Sequence, residues 1–360
     1  MSRAAGIVRG LALPVIAVAA GMAVGAQQRA TAPPYERSPL TLPEERHLRS
    51  IQQLTDGGEN AEAYFSFDGA RLSFQSTRGS HNCDQIYTMK IDGTDAHLVS
   101  GDKGRTTCSF YYPDGKHLLY ASTYLGGNEC PPAPDQSEGY VWAVYDSYDI
   151  FRANPDGSGI VRLTNTPGYD AEATIAKDGR VVFTSVRDGD MEIYSMNGDG
   201  SDVRRLTNLP GPDGGPFFSP DGTKVVFRGN HPGPGKELDD YRALLKKALW
   251  KPLSLQVFLM DRDGSSLRQV TNFAGANWAP SFTPDGKRLI FASNMKDPTG
   301  PNFDLYLINL DGTGLEQVTY SKDFDGFPMF SPDGRKLVWG SNRHDSKPHE
   351  TNIFIADWQK

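Results

Sequence analysis

The stretch SPDGTKVVFRG, residues 219–229, decides the fold of this chain because related copies of it occur six times along the sequence. Each copy joins a turn of the Pro-Asp-Gly kind to an apolar run rich in β-branched and aromatic residues, which predicts a tight turn leading into a buried strand. The other copies are SFDGARLSFQS (66–76), YPDGKHLLYAS (112–122), AKDGRVVFTS (176–185), TPDGKRLIFAS (283–293) and SPDGRKLVWGS (331–341). An array of short strands that repeats over tens of residues is typical of a propeller or a β-solenoid.

A second repeated phrase predicts the rest of each unit. EIYSMNGDGSDVRRLTN, residues 192–208, contains an aromatic strand, a Gly-Asp-Gly turn and a strand that ends in Leu-Thr, which is the pattern of a β-hairpin. The phrase recurs at residues 85–100, 149–165, 256–272 and 304–320. Two hairpins for each repeat predict the four-stranded antiparallel blade of a propeller.

The two ends of the array predict how the ring closes. The sixth copy of the second phrase stops at NIFIADW, residues 352–358, without its outermost strand. A lone strand, SIQQLT at residues 50–55, precedes the first repeat. We therefore expect the N-terminal strand to complete the last blade, which removes a free sheet edge. The predicted fold is an all-β, six-bladed β-propeller over residues 50–360, and the 38 glycines and 25 prolines agree with a turn-rich chain.

The N-terminal region predicts export. Residues 1–26 combine two arginines, an apolar run and a small-residue cleavage site, Val24-Gly25-Ala26. We interpret this region as a cleaved signal peptide, with an uncleaved anchor as the alternative. The apolar run is short for a bilayer span of about 20 residues, so we expect no integral membrane segment in the mature chain. Residues 27–49 are predicted to be a Pro-rich linker, and the expected location is the periplasm or the exterior.

The charge of the chain narrows the classes of partner. Its net charge is −7, and removing Arg3 and Arg9 with the signal peptide leaves 35 basic against 44 acidic residues, a net charge of −9. An acidic surface without a basic run argues against nucleic acid and anionic membranes as partners. We expect a monomer that binds a protein or a peptide.

The chain contains three cysteines, Cys83, Cys108 and Cys130. In an oxidising compartment this number predicts one disulfide and one free thiol. Repeat register places all three at one rim of the ring. A Cys108–Cys130 bond is slightly preferred over Cys83–Cys108, because the long loop that carries Cys130 can fold back over its own inner strand. Three reduced thiols, or a metal-binding or catalytic thiol, remain as alternatives.

The phrases SPDGTKVVF, EIYSMNGDGS and RRLTN resemble the TolB-type propeller repeat, which is also described as a WD-like PD repeat. The resemblance covers about residues 50–360 and implies a six-bladed propeller. TolB carries a separate N-terminal α/β domain that takes part in contacts within an envelope complex, and this chain has only a short Pro-rich segment in that position. Related propellers also occur fused to hydrolase domains and in oligogalacturonate lyases with a histidine-bound metal.

Two long insertions predict the working face. Residues 123–148 and 230–254 each lie between the second and third strands of a blade, so both project from the same face. Trp142 and Tyr145 in the first insertion and Trp250 in the second are candidate anchors for a partner. The region from Lys236 has apolar residues at spacings of three and four, which predicts an amphipathic helix that Pro252 stops. The alternative is that these side chains simply pack over the blade edges.

A ring of polar residues is expected on the same face. They are Asn60, Thr106, Asp170, Asp213, Asn277 and Asp325, each eight residues before a turn aspartate, together with Glu62 and Glu172 two residues further on. Carboxylates at the channel mouth could hold a divalent cation or a basic peptide end. Alternatively, these side chains cap strand starts through hydrogen bonds to loop amides.

Three loop histidines, His81, His231 and His349, keep a metal-dependent hydrolase or lyase as the alternative function, because imidazoles from several blades could converge on a metal. The sequence contains no Gly-x-Ser-x-Gly, His-Glu-x-x-His, phosphate-loop or Cys-x-x-Cys motif. The preferred hypothesis is a non-catalytic binding module without a cofactor.

Overall fold

The computed structural model describes residues 40–79, 81–344 and 350–360. The predicted signal peptide, residues 1–26, and His349 lie outside these residues. The described chain forms six four-stranded antiparallel sheets, which are the six blades, and one two-stranded sheet. The all-β, six-bladed propeller predicted from the repeats is therefore confirmed.

The first three blades follow one another along the chain, each with its inner strand first. Blade one contains β2 (Asn60–Phe65), β3 (Arg71–Ser76), β4 (Gln85–Lys90) and β5 (His97–Leu98). Blade two contains β6 (Thr106–Tyr111), β7 (Leu118–Ser122), β9 (Asp149–Ala153) and β10 (Val161–Arg162), with β8 (Trp142–Ala143) in its insertion. Blade three contains β11 (Asp170–Ile175), β12 (Arg180–Ser185), β13 (Glu192–Asn197) and β14 (Arg204–Arg205).

The last three blades repeat this order. Blade four contains β15 (Asp213–Phe218), β16 (Lys224–Gly229), β18 (Gln256–Asp261) and β19 (Arg268–Gln269), and its insertion holds helix α1 (Lys236–Leu245) and β17 (Leu249–Trp250). Blade five contains β20 (Asn277–Phe282), β21 (Arg288–Ser293), β22 (Asp304–Asn309) and β23 (Glu316–Gln317). Blade six contains β24 (Asp325–Phe330), β25 (Lys336–Ser341) and β26 (Asn352–Trp358), and its outer strand is β1 (Leu48–Gln53).

The N-terminal strand closes the ring as expected. β1 pairs antiparallel with β26, with Leu48 opposite Trp358 and Gln53 opposite Phe354. Residues before position 50 also contact the propeller. Glu45 is fully buried and forms an ion pair of 2.9 Å with Arg343 of blade six. The segment expected to be a linker, residues 27–49, thus includes ten residues that belong to the packed propeller unit.

One position of the repeat supplies the core between the blades. The central aromatic residue of each second strand is at most 1% exposed; these residues are Phe74, Tyr120, Phe183, Phe227, Phe291 and Trp339. Full burial of such a side chain contributes about 1.5–3 kcal/mol to folding as an upper estimate. The six copies of the sequence phrase therefore encode both the turn and the packing between neighbouring blades.

The two insertions pair with each other. β8 from blade two and β17 from blade four form a two-stranded antiparallel sheet, with Trp142 opposite Trp250. Helix α1 begins at Lys236 as predicted but ends at Leu245, seven residues before Pro252, because the chain then enters β17. The helix packs on the ring through Leu238, Tyr241 and Leu244. We call β8, β17 and α1 the lid.

The disulfide joins Cys83 to Cys130 with an S–S distance of 2.12 Å, and Cys108 remains a free thiol. The predicted pairing of Cys108 with Cys130 is wrong. Cys108 lies inside the channel on β6, whereas Cys130 lies in the loop that crosses to blade one, so the long loop reaches its neighbour and not its own inner strand.

Among the described residues no helix is long and apolar enough to cross a lipid bilayer.

Candidate functional site

The polar ring expected at the channel mouth lies inside the blades. All six of its residues begin an inner strand, and each is at most 1% exposed; they are Asn60, Thr106, Asp170, Asp213, Asn277 and Asp325. Asn60 and Asn277 each accept a hydrogen bond from the serine that ends the second strand of their own blade, Ser76 and Ser293. The amide nitrogens of Asn60 and Asn277 and the hydroxyl of Thr106 donate to backbone carbonyls, including carbonyls of the preceding blade. These buried hydrogen bonds go to side chains and loop carbonyls, whereas the capping alternative named loop amides.

Each of the three carboxylates of this ring lies against a basic side chain of its own blade. Asp170 accepts two hydrogen bonds from Arg187 at 2.9 and 3.0 Å, and Asp325 accepts one from Arg343 at 3.0 Å. Asp213 is 2.8 Å from Nε2 of His231. Burial raises the pKa of all three carboxyls, and the adjacent cations offset part of that rise. The structure does not bring these residues to an exposed binding face.

A bulge two residues further on turns a different set of side chains into the channel. In every inner strand the pairing register shifts at this position, and the residue there has a φ between 49° and 59°. The six residues are Glu62, Cys108, Glu172, Gly215, Ala279 and Phe327. Bulges re-aim side chains in this way at the rims of closed sheets. All six line one cavity of about 60 Å³, which we call the chamber.

The chamber is closed on two sides by aromatic rings. Above it, Trp142 of the lid makes an edge-to-face contact with Trp278, with ring centroids 5.7 Å apart. Below it, Tyr64, Phe110 and Phe217 from three different blades meet across the channel, with centroids 5.3–6.2 Å apart. The channel is therefore blocked below the chamber by an aromatic layer and covered above by the lid.

The charged wall of the chamber is an ion pair. Nη2 of Arg228 donates to Glu172 at 2.6 Å, and the other oxygen of Glu172 accepts from Thr184 Oγ1 at 2.7 Å and from the Gly215 amide at 2.9 Å. A Cβ atom at Gly215 would overlap Nη1 of Arg228. The space that the guanidinium occupies therefore favours glycine here, since the other five blades carry a side chain at this position with a similar φ.

Glu62 faces this ion pair across the chamber. Desolvation raises the pKa of its carboxyl to about 7; a hydrogen bond from the Cys108 thiol lowers it, and the charge of Glu172 raises it further. Burial and the same two carboxyls also raise the pKa of the Cys108 thiol. Cys108 is therefore a neutral thiol at physiological pH, and Glu62 changes its protonation near neutrality.

The predicted anchors Trp142 and Trp250 form the underside of the lid. Their rings lie edge to face with centroids 5.5 Å apart, and Trp250 is only 2% exposed. Arg228 lies 5.5 Å below the Trp250 ring and 6.0 Å below that of Trp142. Tyr145 is half-buried, and its hydroxyl donates to the Pro132 carbonyl at 2.5 Å. These side chains are used to hold the lid on the ring.

The described histidines of the predicted metal site do not converge. Nδ1 of His81 is 2.5 Å from Asp102, and its Nε2 is 2.9 Å from the Tyr87 hydroxyl, so both ring nitrogens are engaged. His231 bonds to Asp213 within blade four. Within residues 40–79, 81–344 and 350–360, no group of three or more His, Cys, Asp or Glu residues has a geometry that could hold a metal ion.

The chamber is also lined by Arg228, Trp278 and Phe327, which were not predicted from the sequence as site residues. One repeat position could have indicated the chamber. It lies two residues after each residue of the polar ring, and in the six blades it is occupied by Glu, Cys, Glu, Gly, Ala and Phe. Only Glu62 and Glu172 were recognised there. Arg228 comes from the second strand of blade four and occupies space that a side chain at residue 215 would fill, a feature that the pattern shared by the six blades does not indicate.

Comparison with known proteins agrees with this architecture. Residues 250–353 match the family model described as the TolB beta propeller domain. The repeats within this region match the TolB-type propeller repeat. A putative TolB from Agrobacterium tumefaciens superposes with a TM-score of 0.58 at 20% identity, covering 86% of this chain and 97% of that one. A gluconolactonase from Xanthomonas campestris superposes with a TM-score of 0.56 at 14% identity, covering 87% and 91%. At these identities the likeness concerns the fold.

One curated relative is similar in sequence. It is the uncharacterized peptidase YuxL of Bacillus subtilis, which is 27% identical over 207 residues. The match covers 52% of this chain and 29% of that protein. The chain therefore matches less than a third of the length of this relative.

Proposed function

We propose that this TolB-type propeller is an exported, non-catalytic binding module for a protein or peptide partner at the cell envelope. The observation that carries the proposal is where the exposed apolar side chains lie. The three most exposed large apolar residues of the described chain are Tyr140 at 65%, Leu253 at 54% and Leu125 at 51%. All three belong to the two insertions, and exposed apolar groups gathered on one face are typical of interaction surfaces.

A groove beside the lid supports a peptide as the form of the partner. The groove has a volume of about 790 Å³ and runs along helix α1. Apolar Leu253 and Leu244 line it together with Lys236, Lys247 and Lys251. A groove that combines apolar and charged groups suits an extended or helical segment of another chain. The working face is then the outer surface of the lid, while Trp142 and Trp250 hold the lid in place.

The disulfide supports export of the protein. The structure contains the disulfide Cys83–Cys130. Structural disulfides form and persist in oxidising compartments and are rare in the cytosol of mesophiles. Together with the signal-like residues 1–26, the bond supports a periplasmic or secreted location. We propose that the mature protein is a monomer, which size-exclusion chromatography with light scattering would check.

The test is capture of partners from the cell envelope by the purified protein, followed by affinity measurement with the captured partner. We expect Tyr140→Ala and Leu253→Ala each to weaken binding by about 2 kcal/mol or more if they are anchors. Leu315→Ala is the matched control, because Leu315 is 41% exposed but lies away from both insertions. An equal effect of all three substitutions would contradict the assignment of this face. Metal at a stoichiometric level in the purified protein, together with hydrolase or lyase activity that chelation abolishes, would instead support the catalytic alternative.

A further inference from the structure

The chamber contains hydrogen-bond donors that the described chain leaves without acceptors. Trp278 is 8% exposed and Arg228 is 5% exposed, and both line the chamber. Nε1 of Trp278 and Nε of Arg228 have no hydrogen-bond partner among the described residues. A buried donor without an acceptor is destabilising, because it loses its hydrogen bond to water and gains none in the protein. Two such donors around one cavity therefore indicate that the cavity receives an acceptor.

The charges around the chamber specify what kind of acceptor fits. Arg228 supplies the positive charge, and Glu172 uses its oxygens on Arg228, Thr184 and the Gly215 amide. Glu62 lies opposite, and its protonated form adds a third donor. A carboxylate accepts from a guanidinium, an indole N–H and a carboxylic acid together, and hydrogen bonds to ionised groups are the strong ones.

The size of the chamber limits the ligand. A volume of about 60 Å³ is well below the roughly 150 Å³ cavity that accommodates benzene. The aromatic layer of Tyr64, Phe110 and Phe217 blocks extension down the channel. We propose that the chamber is a binding site for a small carboxylate of one to three carbons, held by Arg228 and Trp278 beneath the lid. This site is separate from the outer lid surface of the proposed function and does not depend on it.

Binding is coupled to the proton on Glu62. The titratable and charged groups that interact with this carboxyl are Tyr64, Asp84, Cys108, Glu172 and Arg228. Ionised Glu62 repels an incoming carboxylate, whereas its protonated form donates to it. Because the pKa of Glu62 is raised to about 7, the protonated fraction falls about tenfold between pH 6 and pH 8. We expect the affinity for the carboxylate to fall by the same factor.

The experiment is isothermal titration of the purified protein with formate, acetate and propionate at pH 6 and pH 8. We expect binding at pH 6 that weakens about tenfold at pH 8 for the wild type. Glu62→Gln, which keeps a neutral group at this position, should bind with an affinity that no longer changes between the two pH values. Trp278→Phe removes one N–H but keeps an aromatic ring, so it should weaken binding at pH 6 while the protein stays folded.

Trp358→Phe is the matched control, because this half-buried tryptophan contacts His47 and Phe330 outside the chamber. It should leave the affinity unchanged. Absence of binding by the folded wild type at pH 6 would overturn the proposal, since ordered water would then be the acceptor. Binding that Trp278→Phe and Trp358→Phe affect equally, or a pH dependence that persists in Glu62→Gln, would overturn it as well.

Discussion

The arginine that follows the second strand in three blades is a structural residue of the repeat. Arg78, Arg187 and Arg343 each bond the polar residue that begins the inner strand of the same blade. In blade six this contact becomes a buried triad, because Arg343 also bonds Glu45 at 2.9 Å. Arg343 is 5% exposed, whereas Glu45 and Asp325 are fully buried. One side chain therefore joins the end of the array to the segment that precedes it.

Replacing Arg343 should be strongly destabilising. Arg343→Ala leaves two buried carboxylates without their cation, and breaking such a pair costs about 3–5 kcal/mol. Arg335→Ala is the control, because Arg335 is highly exposed and forms a long ion pair of 3.7 Å with Asp333. An exposed ion pair of this kind contributes about 0–1 kcal/mol to the free energy of unfolding. Urea denaturation of both variants measures the difference. Similar free energies of unfolding would show that the triad does not stabilise the ring.

The lid is an element that neither insertion forms alone. Its strands, Trp142–Ala143 and Leu249–Trp250, are two residues long, and an isolated pair of such short strands is not stable by itself in water. Packing of the two tryptophans and burial of α1 supply the stability. Tyr241 of α1 donates its hydroxyl to Asp190 of blade three. The disulfide fixes the first insertion to blade one at Cys130.

Removing the disulfide should loosen this element and lower stability. The bond closes a loop of 47 residues, and a loop of this length stabilises by about 2–4 kcal/mol in the chain-entropy account. The double variant Cys83→Ser with Cys130→Ser tests this by thermal melting, with Cys108→Ser as a control that removes a thiol but no bond. Denatured wild type should take up one alkyl group before reduction and three afterwards. Uptake of three groups without reduction would contradict the pairing.

At the scale of the whole molecule, stability depends on closing the ring between its two ends. β1 is the only outer strand of the described blades that precedes its own blade in sequence, and it pairs with β26 along its length. Without β1, β26 would present unpaired backbone N–H and C=O groups, which is a site for aggregation. Closure therefore couples the N-terminal strand to the last repeat across about 300 residues of sequence.

Three truncations separate closure from the preceding segment. A chain beginning at Leu40 retains Glu45 and β1, so we expect its melting temperature to match that of the mature protein. A chain beginning at Asp56 lacks both, and we expect a lower melting temperature and concentration-dependent aggregation. A third chain, beginning at Leu48, keeps β1 but loses Glu45 and should fall between the two. Equal melting temperatures for all three would show that closure contributes little.

The sequence by itself determined the number of blades, the strand order and the closure of the ring. These features depend on local signals, the turn residues and the alternation of apolar side chains, which recur in the same register in every repeat. The face that carries the insertions followed from the same register. The prediction of an α-helix at Lys236 also held at its start, because helical spacing is local.

Only the tertiary structure decided the roles of the residues that the repeats do not share. The pairing of Cys83 with Cys130 and of β8 with β17 joins segments from different blades, and the repeat register does not contain the distances between them. Arg228 depends on a residue that the other blades do not share, because its guanidinium occupies the space beside Gly215 of the neighbouring strand. The repeat register identifies Asp170, Asp213 and Asp325 as equivalent positions and predicts them at the channel mouth, whereas in the structure each is buried against an arginine or a histidine of its own blade. Contacts between repeats are set by side-chain packing in three dimensions, and a one-dimensional pattern records only the contacts that every repeat shares.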